Sequence, residues 1–381
     1  MTFAAALAFL FCALAAVGCV YQAFALIAVA RFFARRPEAG NLAEPVTLLK
    51  PLHGGEPRLG ENLASFLAQD YGAPVQFLCG VNTPGDAAAP VVRDLIAAHP
   101  VCAITLFPGP RLPGANGKMG NCAAMAPLAR HDILILSDSD MVVAPDYLSR
   151  IVTALGQPGT GAVTCLYVGR GDAGVWSRIG AGMISAHGLP NMVVGLTTGM
   201  ARPCMGSTIA LRRDTLAAIG GFGAFADVLA DDHAIGAAVA ALGLLVAIPP
   251  MVLIHAGAER SLAQVWRQHL RWAATIRDVA GPGHYGSVVT HAAALAVIAT
   301  GFAPMPGAVL LAIALALRFA VAARVNRLAP AAPTPLWVIP IADLLAFAVF
   351  LASLATRQID WRGATLTMTG KGRIVARNKR D

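Results

Sequence analysis

Two aspartates follow a short apolar run in the middle of the chain. Ile133 to Leu136 are four consecutive apolar residues, and Asp138 and Asp140 come next with only serines interposed. The run is typical of a strand buried on both faces, as in a parallel sheet. Ligands of open α/β sheets bind beyond the carboxyl ends of strands, so both carboxylates should project into a crevice. They suit Mg²⁺ or Mn²⁺, which keeps positions for water and phosphates; alternatively, they only cap the next element.

Two further polar sets lie towards the C-terminus. Asp231 and Asp232 open a predicted helix, where Asp231 is placed well for the positive N-terminal end. Gln268, Arg271 and Trp272 share the segment 264–272. Asp231 could alternatively be only a helix cap. The third polar set, Gln268, Arg271 and Trp272, could alternatively lie on a helix whose Trp packs in the core and whose Arg is solvated.

The elements that must position these residues alternate between strands and helices. Hydrophobic patterns predict strands at Val46–Leu52, Val75–Val81 and Ala103–Phe107, with helices over 59–69, 90–99 and 121–130. Further strands are expected over 161–168 and 245–254. This alternation indicates βαβ units and a mostly parallel, Rossmann-like sheet. The glycines form no GxGxxG motif and no P-loop, so dinucleotide or Walker-type ATP binding is not supported.

Composition points to a membrane protein. Hydrophobic residues make up 56% of the 381 residues and charged ones only 13%, with a net charge of +8. The basic residues flank apolar runs, which suits an anionic membrane surface and argues against a nucleic-acid partner. The seven cysteines show no CxxC spacing. They are expected to be free thiols in a reducing compartment rather than zinc ligands.

The two ends of the chain carry the membrane segments. Residues 1–36 read as an uncleaved transmembrane anchor, because the basic residues Arg31, Arg35 and Arg36 follow the apolar run. Apolar runs at 288–303, 307–323 and 336–356 form a C-terminal membrane region, 287–356. The segment 176–192 is predicted to be a helix that lies against the membrane or forms part of a lipid pocket; a buried core helix is the alternative.

Charge predicts the orientation of these segments. The tail 357–381 is basic and should be cytoplasmic, as should the domain that follows the anchor. Two of the three C-terminal runs are therefore expected to cross, and the third to be re-entrant or interfacial; Arg318 interrupts the second. The basic tail residues are Arg357, Arg362, Lys371, Arg373, Arg377, Lys379 and Arg380.

Together, the motifs resemble those of GT-A glycosyltransferases of the family 2/21 type. The resemblance is closer to ceramide glucosyltransferases and bacterial hopanoid-biosynthesis glycosyltransferases, and it covers roughly 45–280. It implies a GT-A catalytic domain over 44–280, flanked by transmembrane helices. The motifs that carry it are residues 48–54 (LLKPLHG), 116–121 (NGKMGN), 138–140 (DSD), 212–214 with 220–222 (RRD and GGF), 230–232 (ADD) and 268–272 (QHLRW).

The resemblance implies a role for each polar residue. Asp138 and Asp140 would hold Mg²⁺ or Mn²⁺ at the diphosphate of a nucleotide sugar, and Lys118 would add a positive charge. Asp232 would be the base of an inverting transfer, with Asp231 raising the proton affinity of the pair. Members of the third set, Gln268, Arg271 and Trp272, would close the site over the diphosphate and the acceptor.

Two positions need separate interpretation. The family has an aspartate after the second strand that contacts the nucleotide, whereas this chain has Thr83 there, with Asp86 as the remaining acid of the loop. Either Asp86 serves instead or the uridine contact is weaker. His187 lies where the family has a histidine near the acceptor, but a lone core histidine is the alternative.

Three classes of function fit these motifs. The first is a glycosyltransferase of the bacterial inner membrane that moves a sugar from UDP-glucose or UDP-N-acetylglucosamine to a hopanoid or ceramide-type lipid hydroxyl. The second is a processive polysaccharide synthase of the cellulose or hyaluronan type, which would need more membrane helices. The third is a non-enzymatic membrane protein whose α/β domain binds nucleotides, which the presence of Asp232 disfavours.

Overall fold

The computed structural model describes residues 2–36, 42–202, 204–361 and 364–376. The chain divides into two compact units, each assembled from separate stretches. The helical unit comprises Met1–Arg35, Tyr167–Ala201 and Gly257–Lys371. The sheet unit comprises Arg36–Leu166, Arg202–Ala256 and Gly372–Asp381. Both units therefore draw on the predicted catalytic segment 44–280, and its boundaries remain a prediction.

Strands and helices alternate through the sheet unit, as their hydrophobic patterns predict. The elements of both units follow together in chain order. The strands are β1 (Val46–Leu52), β2 (Val75–Val81), β3 (Ala103–Phe107), β4 (Ile133–Leu136), β5 (Met141–Val142), β6 (Thr160–Val163), β7 (Leu166–Gly171), β8 (Ile209–Arg212), β9 (Leu245–Ala247), β10 (Val252–Gly257), β11 (Gln358–Trp361), β12 (Ala364–Gly370) and β13 (Arg373–Ala376). The helices are α1 (Phe3–Phe33), α2 (Leu59–Leu67), α3 (Ala88–Ala98), α4 (Gly117–Met125), α5 (Tyr147–Leu155), α6 (Val175–Gly182), α7 (Leu189–Thr198), α8 (Arg213–Ala218), α9 (Asp231–Ala241), α10 (Leu262–Ala280), α11 (Pro282–Gly286), α12 (Ala292–Phe302), α13 (Pro304–Leu328) and α14 (Val338–Ser353).

A seven-stranded sheet in the order β3-β2-β1-β4-β8-β6-β9 forms the centre of the sheet unit. Strand β1 pairs in parallel with both β2 and β4, whereas β8 runs antiparallel to its neighbours β4 and β6. All residues of β1 and β4 are buried, because helices cover both faces of a sheet of this type. The expected mostly parallel α/β architecture is confirmed.

Two of the predicted strands are shorter than their apolar patterns suggested. The run 245–254 forms β9 and β10, with Pro249 and Pro250 between them. Proline has no N–H to donate to a strand ladder, so the run breaks there. The run 161–168 likewise divides after Val163, where the Thr164 hydroxyl bonds both backbone groups of Met205. Side-chain bonds to the backbone replace the ladder at that point.

The helical unit contains the apolar elements. Three helical stretches among the described residues are long and apolar enough to cross a membrane: Phe3–Phe33, Val175–Thr198 and Pro304–Leu328. A bent pair, Pro282–Thr290 with Ala292–Phe302, turns by 68° and would form a fourth if it is one span. Helix α14 has only 16 residues. The predicted basic tail residues Arg362, Arg377, Lys379 and Arg380 lie outside the described residues.

A buried ion pair crosses the helical unit. Arg318, on α13, lies 2.9 Å from Asp343 on α14, and both side chains are almost fully buried. Arg318 also donates to the carbonyl oxygens of Ala186 and Thr290, each at 2.8 Å. Ala186 belongs to a π-helical turn and Thr290 to the bend of the broken pair, where the regular helix pattern leaves carbonyls without partners. A paired Arg318 therefore lets α13 continue through the position expected to interrupt it.

Candidate functional site

The predicted metal-binding aspartates lie where β4 ends. Asp138 forms an ion pair with Lys118, whose Nζ is 2.6 Å from the Asp138 Oδ1. Lys118 stands in the first turn of α4, which Asn116 caps by accepting hydrogen bonds from the Lys118 and Met119 N–H groups. Burial raises the pKa of Asp138; Lys118 opposes this shift and Asp140 adds to it. The carboxylate is therefore held in a crowded acidic environment.

The acidic pair of α9 shares the same lysine. Lys118 Nζ lies 3.4 Å from Asp231 Oδ2, and Asn116 donates to Asp231 Oδ1 at 3.2 Å. Burial alone would lower the pKa of Lys118, but the carboxylates of Asp138 and Asp231 outweigh it and raise that pKa well above its usual value. Lys118 is consequently a permanent positive charge between two acidic motifs that are distant in sequence.

Asp232 differs from Asp231 in its surroundings. Its side chain is half-buried and accepts hydrogen bonds from the backbone N–H groups of Gly206, at 3.0 Å, and His233, at 2.7 Å. Burial and then the charge of Asp231 raise the pKa of Asp232 to about 6, against the opposing effect of Lys118. The effect of Asp231 has the direction that the sequence predicts. A carboxylate with this pKa is ionised at neutral pH and can still accept a proton efficiently.

Gly206 connects the two acidic motifs, and sequence reasoning did not single it out. Its N–H bonds Asp232, and its carbonyl oxygen accepts from the Asp138 N–H at 3.3 Å. A Cβ at this position would lie 2.8 Å from both Asp138 Oδ2 and Lys118 Nζ. Any larger residue at this position would therefore displace the carboxylate and the ammonium group of the ion pair from their present positions. The glycine between Met205 and Ser207, before a strand, was too weak a signal on its own.

Asp140 has a histidine neighbour that the sequence patterns also missed. The Oδ2 of Asp140 lies 3.1 Å from His255 Nε2, on β10, which pairs with β5 beside it. Among residues 2–36, 42–202, 204–361 and 364–376, no group of three or more His, Cys, Asp or Glu side chains is placed to hold a metal ion. Asp138 and Asp140 nevertheless provide the hard oxygen ligands that Mg²⁺ or Mn²⁺ takes together with substrate phosphates.

The nucleotide-contact candidates have separate local roles. Asp86 accepts from the N–H groups of Gly54 and Ala88, at 2.8 and 2.9 Å, and lies 3.6 Å from His53 Nδ1. Its carboxylate therefore ties the loop after β1 to the start of α3. Thr83 is exposed in the preceding loop. A contact of Asp86 or Thr83 with the nucleotide remains a prediction.

The third predicted set lies in the helical unit. Gln268, Arg271 and Trp272 stand on α10, which begins at a Ser261 cap. The Arg271 guanidinium lies 5.9 Å from the Trp272 ring centre and 5.7 Å from that of Trp361 on β11, within cation–π range of both. Trp361 belongs to the segment that the sequence suggested was only a basic tail. The action of Gln268, Arg271 and Trp272 on a diphosphate remains a prediction.

His187 is a member of a cluster rather than a lone core histidine. Its Nδ1 lies 3.6 Å from Asp343, and its ring stacks on that of His291 at 4.5 Å between centres. Thr290 Oγ1 is 3.4 Å from the other ring nitrogen. These contacts are all with residues of the helical unit, and a contact of His187 with an acceptor remains a prediction.

A mostly parallel sheet in which Asp138 and Asp140 directly follow strand β4 has the architecture of the GT-A fold. The chain belongs to glycosyl transferase family 21, because the model of that family matches residues 10–374. Ceramide glucosyltransferase 1 of Caenorhabditis elegans is 25% identical over 271 residues, which are 69% of this chain and 58% of that protein. The ceramide glucosyltransferase of Candida albicans is 28% identical over 132 residues, which are 31% of this chain and 24% of that protein. The chain thus spans little more than half of the first relative's length.

A solved structure has the same fold. The mannosyltransferase PcManGT from Pyrobaculum calidifontis, in complex with GDP-Man and Mn²⁺, superimposes with a TM-score of 0.51. The match covers 92% of this chain and 99% of the mannosyltransferase, at 21% identity. At this identity the similarity establishes the GT-A fold of the chain, and it carries no information on the donor.

Proposed function

We propose that the protein is an inverting, membrane-bound hexosyltransferase of glycolipid synthesis. It moves a sugar from UDP-glucose or UDP-N-acetylglucosamine to the hydroxyl group of a hopanoid or ceramide-type lipid. The observation that carries the proposal is the acidic edge of the sheet, where one lysine joins Asp138 to Asp231 beside Asp232. Its ceramide glucosyltransferase relatives support a lipid acceptor.

In the proposed reaction, Asp232 takes the proton of the acceptor hydroxyl as that oxygen attacks the anomeric carbon. The bond from this carbon to the diphosphate breaks, and the nucleoside diphosphate leaves. Two backbone N–H groups orient the Asp232 carboxylate, and its pKa of about 6 leaves it ionised before the transfer. Lys118 offsets the negative charge of the leaving group from its place beside Asp138. Arg271, with Gln268 and Trp272, is proposed to bind the diphosphate.

A divalent cation completes the proposed site. Asp138 and Asp140 would hold Mg²⁺ or Mn²⁺, and His255 Nε2 would orient the Asp140 carboxylate, from which it lies 3.1 Å. Such an ion, when bound, neutralises charge on the diphosphate. The donor set fits a cation that takes its remaining ligands from substrate and water.

The protein is proposed to lie in a bacterial inner membrane with its catalytic residues facing the cytoplasm, because nucleotide sugars are made in the cytoplasm. Arg31, in the last turn of α1, and Arg35 and Arg36, which follow that helix, favour this orientation, since basic flanks stay inside. An even number of crossings after residue 287 would keep the C-terminus inside too. Reporter fusions at Lys118 and at the C-terminus should both give a cytoplasmic signal. A periplasmic signal at the C-terminus alone would contradict the even number.

Product analysis tests the reaction. The purified protein in lipid vesicles is incubated with Mn²⁺, each UDP-sugar, and either a ceramide or a hopanoid polyol. Mass spectrometry should detect one added sugar, and NMR should find the anomeric configuration opposite to that of the donor. Asp232→Asn is the matched control. Retention of configuration would refute the role of Asp232, and a growing polymer would indicate a processive synthase.

A further inference from the structure

Lys50 is buried beneath the metal-binding turn and has no place in the proposed reaction. Its side chain has no exposed surface, although it belongs to a strand of otherwise mostly apolar residues. The Nζ donates to Ser137 Oγ and to the backbone carbonyl oxygen of Asp138, both at 2.9 Å. It also stands 3.3 Å from the centre of the Phe66 ring. An amine enclosed in this way requires an explanation, because burial of a charge is costly.

The contacts of Lys50 are with the backbone and hydroxyl beside the acidic motif. Burial, opposed by the charge of Asp138, lowers the pKa of Lys50 to about 7. Both the charged and the neutral amine carry enough N–H groups to donate to Ser137 and Asp138. The function of the two hydrogen bonds therefore does not require a particular protonation state.

The backbone of Asp138 is held from both sides. Its N–H donates to the Gly206 carbonyl at 3.3 Å, and its carbonyl accepts from Lys50 at 2.9 Å. The peptide before Asp138 is thus held through its N–H, and the peptide between Asp138 and Ser139 is held through its carbonyl oxygen by Lys50. Because Asp140 follows two residues later, this peptide also sets the direction in which the two carboxylates leave the turn.

We propose that Lys50 is a positioning residue, which fixes the turn carrying Asp138 and Asp140 so that both carboxylates can bind one divalent cation. The role rests on the proposed metal site. A contribution from charge alone would act in the opposite direction: a positive group near two carboxylates weakens cation binding, so its removal should tighten binding. The sign of the change in affinity thus separates positioning from charge.

The test measures Mn²⁺ affinity of the full-length protein in detergent, by electron paramagnetic resonance with UDP present. The two variants are Lys50→Met, which preserves volume, and Ser137→Ala, which removes one acceptor only. Positioning predicts Mn²⁺ affinity weaker by ~10-fold or more in Lys50→Met and a smaller loss in Ser137→Ala. Excess Mn²⁺ should restore much of the turnover of Lys50→Met.

Thr47→Val and Asp138→Asn are the controls. Thr47 is a buried polar residue of the same strand whose hydroxyl bonds Gln76, away from the turn, so Mn²⁺ affinity should not change. Unchanged or tighter Mn²⁺ binding in folded Lys50→Met overturns the proposal. If Lys50→Met does not fold, unchanged binding in Ser137→Ala overturns it. Wild-type Mn²⁺ affinity in Asp138→Asn would instead refute the metal site itself.

Discussion

The two units each bury charged side chains, but the ratio of carboxylates to cationic groups differs between them. In the sheet unit, Lys118 pairs with Asp138 and Asp231, while Asp140 and Asp232 lie nearby and add further negative charge. In the helical unit, Arg318 and Asp343 form a one-to-one pair, and the guanidinium also binds two carbonyl oxygens. The first cluster has an excess of carboxylates, and the second is balanced.

This difference distinguishes a binding site from a structural pair. An excess of buried carboxylates is unfavourable unless a cation or a proton compensates it, as the raised pKa values of Asp138 and Asp232 indicate. A one-to-one pair whose guanidinium also binds two backbone carbonyl oxygens favours one arrangement of the helices. Substitutions should therefore affect activity in the first cluster and folding in the second.

The largest expected effect is that of Asp232→Asn. Loss of the proton acceptor should lower kcat by ~10²–10⁴-fold, since this is what a general base contributes. The free energy of unfolding should fall by only ~1 kcal/mol, because the amide keeps the shape of the carboxylate and loses one of its two backbone hydrogen bonds. Steady-state transfer assays and UDP binding by calorimetry measure the two properties. Turnover near that of wild type would assign the base to another residue.

Removal of the cation is expected to be the next largest effect. Chelation, or Asp138→Asn, should lower the transfer rate by ~10²-fold or more, since a Lewis acid supplies several kcal/mol of charge stabilisation. Mn²⁺ or Mg²⁺ should restore the chelated wild type and not the variant. Full activity in excess chelator, with UDP binding intact, would contradict the assignment of a divalent cation to Asp138 and Asp140.

The balanced pair should respond in stability. Arg318→Met leaves Asp343 buried without its partner and should lower the free energy of unfolding by ~3–5 kcal/mol. The double variant Arg318→Met with Asp343→Leu should recover much of this loss, because it removes both charges. Thermal unfolding in detergent measures both. If the single variant is stable but inactive, the pair belongs to a functional site after all.

The pH dependence of the rate tests the acidic excess. Asp232 must be ionised to accept a proton, and its pKa is about 6. The rate kcat/KM should be nearly constant above neutral pH and fall ~10-fold per unit below that pKa, since the protonated fraction grows accordingly. The substitution Asp232→Glu should shift the pH at which kcat/KM begins to fall. A rate independent of pH from 5 to 8 would contradict the assignment.

The smallest expected effect concerns Trp361 on β11, beside Arg271 of α10, and tests whether the helical unit contributes to donor binding. Trp361→Leu removes one of the two rings near Arg271 and should raise the KM for the donor about 2–5-fold, as expected for ~0.5–1 kcal/mol of cation–π interaction. Trp361→Phe should restore most of the affinity. An unchanged KM in Trp361→Leu would limit β11 to a packing role.

Local patterns were sufficient for the elements that carry the site. The limits of β1, β2, β3 and β4 agree with the apolar runs, because each run is short and bounded by turn residues. The motif order also led to the family, which the match over 10–374 confirms. The runs 161–168 and 245–254 were less predictable, since proline and a hydroxyl–backbone bond interrupt patterns that remain apolar.

Sequence alone thus determined the alternating α/β class, the apolar terminal segments, the acidic motif after a strand and the acidic pair that opens a helix. Tertiary structure decided which of these residues meet. The pairing of Lys118 with both Asp138 and Asp231, the approach of Gly206 to that pair, and the binding of carbonyls by Arg318 join positions far apart in the chain. Periodicity records which face of one element is apolar. It carries no record of which distant element lies opposite, because that depends on packing of the whole unit.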